Sequence, residues 1–377
     1  MASLLLGLAG LAMVGIILWD AFETILVPRR IGRRVRLTRY FYMWTWRAWR
    51  VIALNVRATS AREGVLGVYG PLSLIGLLAC WAVGLIVAFT LLQIAAALAG
   101  GMPAGRFAHV IYMSGETFFT LGFGDVTPTT SVGRLLAVIE AGLGFGFLGT
   151  VVGYLPTMYA GFAQREVEIS LMDARAGSPP TAAEFLGRIA TPGEPTLRDD
   201  LMREWERWSA QLLETQISYP QLAYYRSQHV NQSWLATLTV VLDASAVLMA
   251  RGDEATVGQA RLTFAMARHA LVDITQIFVP RYVPGAPDRL AASELERLRA
   301  RLADTTGALP TITGFEERLA ELRLMYEPYA QALAAFLLFE LPPWASDRTR
   351  RDNWQGGPGD RQLQAKRDVH HAREEHF

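Results

Sequence analysis

The chain has 377 residues, of which 51% are hydrophobic, and a formal net charge of +1. That balance argues against a general nucleic-acid binder, which needs a basic surface. A lone cysteine, Cys80, rules out a disulfide framework or a multi-cysteine metal site within one chain.

Most of the apolar weight lies before about residue 162, and the remainder reads as charged, helical protein. The first apolar run, roughly Leu4 to Val27, is too long for the core of a secretory leader. It lacks a basic start and a small-residue cleavage site, so residues 1–28 are expected to be a retained membrane helix. Residues 29–63 are strongly basic, with Arg29, Arg30, Arg33, Arg34, Arg36, Arg39, Arg47, Arg50, Arg57 and Arg62. Basic loops stay in the cytoplasm, which places the N-terminus outside and the C-terminus in the cytoplasm. Within this segment "RYFYMWTWRAWR" interleaves aromatics with arginine. It suits an amphipathic helix lying among anionic headgroups of the inner leaflet; a soluble amphipathic helix is the alternative.

A second span is expected over 71–98 and a third over 132–162, both longer than the ~20 residues a bilayer requires. Between them "RFAHVIYMSGETFF" is apolar but too short to cross. A helix over 107–119 that dips in and turns back fits, provided the backbone after it is buried in protein or lines water. The following "TLGFGD", residues 120–125, is the stretch that would line water. To replace the water around a cation, a pore must offer oxygens at close range on all sides. An extended strand points alternate carbonyls in opposite directions. Alternating right- and left-handed torsions would turn them one way, and left-handed torsions fall most cheaply on glycine. Gly122 and Gly124 alternate with Leu121 and Phe123. The carbonyls of Thr120, Leu121, Gly122 and Phe123, with the Thr120 hydroxyl, would then form stacked cation sites. The helix before them would aim its partly negative C-terminal end at the pore axis.

This segment resembles the T-V-G-Y-G-D pore signature of potassium channels. The likeness runs from about Tyr112 to Gly144, and "GETFFTLGFGDVTP" is similar to the pore helix and filter of bacterial two-transmembrane potassium channels. The resemblance implies an all-α membrane fold: outer helix, re-entrant pore helix with filter, and inner helix, in a pore domain over 64–163. It implies K+ as permeant ion at Thr120, Leu121, Gly122 and Phe123, with Gly124 and Asp125 completing the filter. Glu116 and Asp125 match a carboxyl pair behind the filter in some members, Tyr112 and Thr117 take supporting positions, and Gly144 matches the hinge glycine. Leu121 and Phe123 replace the usual Val and Tyr, and Phe123 removes a hydroxyl that can tie the filter down. One chain supplies one filter strand, so a homotetramer is implied.

The third span also carries Gly142, Gly146, Gly149 and Gly153. These small residues permit close helix packing or soften the helix for bending. The run Gly144 to Gly149 fits G-x-G-x-x-G, but it lies inside a membrane helix with no strand before it, so a dinucleotide site is rejected. Asp20 and Glu23 are expected to pair with Arg29, Arg30 or the interfacial helix; coupling that helix to the pore is the second reading. Glu140 is expected to hydrogen-bond behind the pore helix. No span repeats arginine every third residue, so a voltage sensor is not supported.

Residues 164–196 read as a linker from "AGSPPT" and "TPGEPT". Residues 197–342 read as a helical cytoplasmic domain with helices over 197–217, 220–250, 257–278, 291–303 and 315–339. The apolar run 234–250 is read as a bundle core rather than a fourth span, with Asp243 at its centre. Alternating strands with a Gly-rich turn, a cyclic-nucleotide jelly roll and a calcium loop find no support. His269 and Asp273 read as a surface pair. Residues 343–377, which hold His370, His371 and His376, read as a disordered tail.

The expected function is a potassium-selective channel gated by the cytoplasmic bundle, through an unidentified ligand or partner protein. The alternatives are a weakly selective cation channel, or a non-conducting sensor with a relic pore loop. No organic cofactor and no enzymatic activity are expected, since no nucleophile–base or metal-ligand spacing rises above background.

Overall fold

The computed structural model describes residues 1–25, 36–189, 195–228, 231–252, 254–279, 288–306 and 314–345. All regular structure among these residues is helical. The chain forms two compact units: residues 1–162 with 217–226, and residues 163–216 with 227–377.

In the first unit, α1 (Ala2–Ile25) packs along α3 (Thr59–Ala99), with α2 (Leu37–Asn55) between them in sequence. The approach of α1 to α3 is close because Gly10 has no side chain: a Cβ there would stand 2.8 Å from Leu92 Cγ. The core is Ile17, Leu77, Trp81, Ala82, Leu85 and Phe118. Helix α3 begins well before the apolar run expected over 71–98, and Pro71 lies inside it. Polar helix formers such as Arg62 and Glu63 continue a helix that hydrophobicity alone would end. Next come α4 (Phe107–Phe118) and α5 (Ser131–Ala176), the latter with Pro156 inside.

Asp20 of α1 accepts from the Thr38 amide at 3.1 Å, the Thr38 hydroxyl at 2.6 Å and the Trp81 indole N–H at 3.1 Å. It thus caps the start of α2 and ties it to α3. Glu23 accepts from Trp19 Nε1 at 2.6 Å and lies 3.5 Å from Arg36 Nε. Residues at the start of α2, Arg36 and Thr38, are therefore the partners found; Arg29 and Arg30 lie outside the described residues.

The second unit contains α6 (Ala182–Ile189), α7 (Pro195–Ser218, its last residues in the first unit), α8 (Trp234–Arg251), α9 (Glu254–Phe278), α10 (Ala292–Thr306), α11 (Phe315–Leu324) and α12 (Glu327–Leu337). The Ser233 hydroxyl caps α8 by accepting from the Ala236 amide at 3.0 Å, and Gly252 ends it at φ 70°. Among the described residues, four helices, α1, α3, α5 and α8, are long and apolar enough to cross a membrane. Of these, α8 is buried by α6, α9, α11 and α12 of its own unit.

Four sequence expectations are corrected. The linker over 164–196 is largely helix: α5 runs on to Ala176, and α6 buries Phe185 completely. Gly177 and the two prolines after it mark a corner, not a separation. The helix over 220–250 is instead a 3-10 turn at Pro220–Tyr224 followed, after a break, by α8. The helix over 315–339 is broken at Met325 and Tyr326. Trp344, placed in the expected tail, is fully buried; residues 346–377, with the three tail histidines, lie outside the described residues. His269 and Asp273 form an exposed pair at 3.9 Å.

Candidate functional site: the segment between α4 and α5

Helix α4 is held on both sides. Its Ser114 hydroxyl is buried, lies 2.9 Å from the Ile86 carbonyl of α3, and bonds the Glu140 carboxyl of α5. Phe118, at its C-terminus, sits in the apolar core against Phe147. Gly144 of α5 approaches the same end so closely that a Cβ would lie 1.8 Å from the Phe118 carbonyl oxygen. No other residue fits that contact, so Gly144 has a packing role, and α5 runs unbroken through it.

The helix ends in a tight turn. The Phe119 amide bonds Gly115 O at 3.0 Å, Thr120 bonds Thr117 O at 3.0 Å, and Leu121 bonds Glu116 O at 2.8 Å. The Thr117 hydroxyl donates back to Met113 O at 2.7 Å. Beyond this turn the backbone alternates: φ is 58° at Thr120, 64° at Gly122 and 77° at Gly124, while Leu121 and Phe123 keep negative φ. The glycines adopt that torsion freely; Thr120, a β-branched residue, is strained by it. Among the described residues, nothing donates to the carbonyls of Thr120, Leu121, Gly122 or Phe123. A row of oriented, unspent acceptors follows the negative end of a helix dipole, an arrangement that favours a bound cation.

The flanking side chains are partly brought together. Tyr112 lies near Asp125 and Glu116. Glu116 is buried, and its Oε2 has no partner among the described residues. No bond joins Glu116 to Asp125 directly. Leu121 and Phe123 are 58% and 68% exposed on the single chain.

Sequence reasoning missed the positive φ at Thr120 and the anchor Ser114, whose partner Glu140 lies 26 residues away. It also missed Pro156, which was visible as a proline inside the third apolar run, and the packing of residues 217–226 in the first unit.

Residues 76–160 match the family model described as ion channel. The match starts in α3, takes in α4 and the 120–125 segment, and ends in α5. An ion-channel domain of an all-helical membrane protein thus coincides with the site. Neither curated proteins nor solved structures give a match to the chain.

Proposed function

We propose that four copies of the chain surround a common axis and conduct potassium ions passively through the Thr120–Asp125 segment. The observation that carries this is the alternation of positive and negative φ from Thr120 to Gly124, with the carbonyls between left unpartnered. Rings of such carbonyls replace the hydration shell of the ion, so no covalent chemistry is needed. A single strand offers oxygens from one side only, hence the need for further copies.

A second feature supports assembly. Val138, Phe145, Val152 and Tyr159 of α5 are exposed and recur every seventh residue, with Leu148 and Leu155 between them. That spacing is the seam of helices packing at a shallow angle. The adjacent face holds Glu140, Gly144, Tyr154, Met158 and Phe162, all buried in the chain's own first unit.

In this reading α1, α3 and α5 cross the membrane, with the N-terminus outside and the second unit in the cytoplasm. Helix α2 lies among anionic headgroups, with exposed Trp44 beneath the Arg47 guanidinium, 5.7 Å from its ring. The second unit controls the mouth of the pore by bending α5 at Gly144 or Pro156. Phe123 favours a secondary reading, a less selective cation channel, because it has no hydroxyl to fasten the filter strand.

The test is potassium and sodium flux in liposomes holding the full-length protein. Potassium flux abolished by Gly122→Ala, which forces a side chain onto φ 64°, is expected. Equal potassium and sodium flux would favour the secondary reading. No flux of either ion would sink both.

A further inference from the structure

Residues Ile217–Arg226 belong to the first unit, although the chain on both sides of them belongs to the second. Large side chains hold them there. Leu222 is fully buried in a cluster with Leu74 of α3 and Tyr154, Met158 and Phe162 of α5. The Gln221 carboxamide donates to the Tyr154 hydroxyl and lies 3.8 Å from Met158 Sδ. Tyr224 stacks on Tyr42 of α2, with ring centroids 5.5 Å apart and planes 6° from parallel. It also meets Trp46 of α2 and Tyr69 of α3. Tyr225 rests on Gly70 of α3, where a Cβ would lie 3.0 Å from the Tyr225 Cγ, and touches Phe162 of α5. The Arg226 guanidinium is 3.8 Å from Glu63.

The segment therefore touches α2, α3 and α5 together. Its contacts on α5 fall on Tyr154, Met158 and Phe162, spaced four apart on one face. They lie around Pro156, whose missing N–H leaves the Val152 carbonyl without its ladder donor. The exposed seam of α5 lies on the adjacent face.

We propose that Ile217–Arg226 is a clasp wedged between α5 and the α2–α3 pair, and that the pore mouth widens only when the clasp leaves. The idea rests on the pore reading above. With the exposed seam toward the axis, opening carries the far half of α5 toward α2 and α3. That space is filled by Leu222, Tyr224 and Tyr225, and packed interiors do not compress. Because the chain enters and leaves the clasp from the second unit, a change there has a covalent route to α5.

The test uses the full-length protein in liposomes, with Cys80→Ser as the background and potassium efflux as the readout. Adding Gly70→Cys and Tyr225→Cys places two sulfurs within disulfide reach. Oxidation is expected to slow efflux at least fivefold and dithiothreitol to restore it. The background and Tyr225→Cys alone should not respond. Unchanged or faster efflux with the bridge complete by mass would overturn the clasp while leaving conduction intact. A second measurement does not need conduction. Leu222→Asp puts a carboxylate into the cluster and should raise amide exchange across Tyr154–Phe162 at least tenfold. If the background carries no potassium, the pore reading fails, and unchanged exchange in Leu222→Asp still overturns the clasp.

Discussion

The carbonyl oxygen of Phe118 occupies the place where a Cβ on Gly144 would stand, 1.8 Å from it. The end of α4, just before the 120–125 segment, is thus seated directly on α5. Gly144→Ala must separate the two, and overpacking of this kind costs about 1–3 kcal/mol. Gly146→Ala meets nothing within 4 Å in the chain. Potassium flux should fall at least tenfold for Gly144→Ala, and its unfolding midpoint in detergent should drop further than that of Gly146→Ala. Equal behaviour of the two variants would show that the contact does not set the 120–125 segment.

The second unit is centred on a buried ion pair. Arg289 Nη2 bonds Asp243 Oδ2 at 2.7 Å, Tyr326 donates to Asp243 Oδ1 at 2.5 Å, and the guanidinium lies 5.6 Å above Trp344. Burial works against the Arg289 charge, but the Asp243 carboxylate outweighs it and holds the Arg289 pKa above its ordinary value. Asp243→Ala removes the nearer carboxylate, leaving Glu327 at 3.7 Å and the Pro342 carbonyl at 2.9 Å, and should cost about 3 kcal/mol in denaturant unfolding. Asp243→Leu combined with Arg289→Met should cost clearly less than Asp243→Ala alone. A double variant as unstable as the single would mean that the pair itself supplies the stability.

The tyrosines around the clasp predict a response to alkali. Burial pushes Tyr225 up to about 12 from an ordinary 10.0, and burial pushes Tyr224 and Tyr42 higher still. A phenol with a raised pKa binds a proton in the fold that the released chain gives up. Its stabilisation is complete below pH 10.0 and is lost as pH rises toward about 12. Tyrosinate absorbance should show a late, steep phase in the wild type. Leu222→Asp should convert it to ordinary titration near 10.0.

What could be read from the sequence was local. The 120–125 segment is legible because glycine at alternate positions carries its own torsional meaning, and Gly122 and Gly124 have positive φ. The first apolar run, the short helix before the 120–125 segment and the apolar α8 follow from length and composition in the same way. The contacts that hold these pieces are not local. Ser114 and Glu140, and Asp20 and Trp81, find each other only through packing of separate helices, and either acid has many polar candidates in the sequence. Pro220 to Tyr224 reads as the start of a helix, because nothing in its residue types announces that Leu222 will be buried against α5. The strain at Thr120 was hidden for the opposite reason: a β-branched residue argues against positive φ, and only the surrounding turn imposes it.

The most direct test of the central claim is the reversal potential of single channels of the full-length protein in a planar bilayer, with potassium on one side and sodium on the other. Carbonyl rings fitted to potassium predict a reversal potential displaced by more than about 59 mV, the shift for a tenfold permeability ratio of a monovalent ion. A reversal potential at zero, or a bilayer that stays silent with the protein inserted, would contradict it.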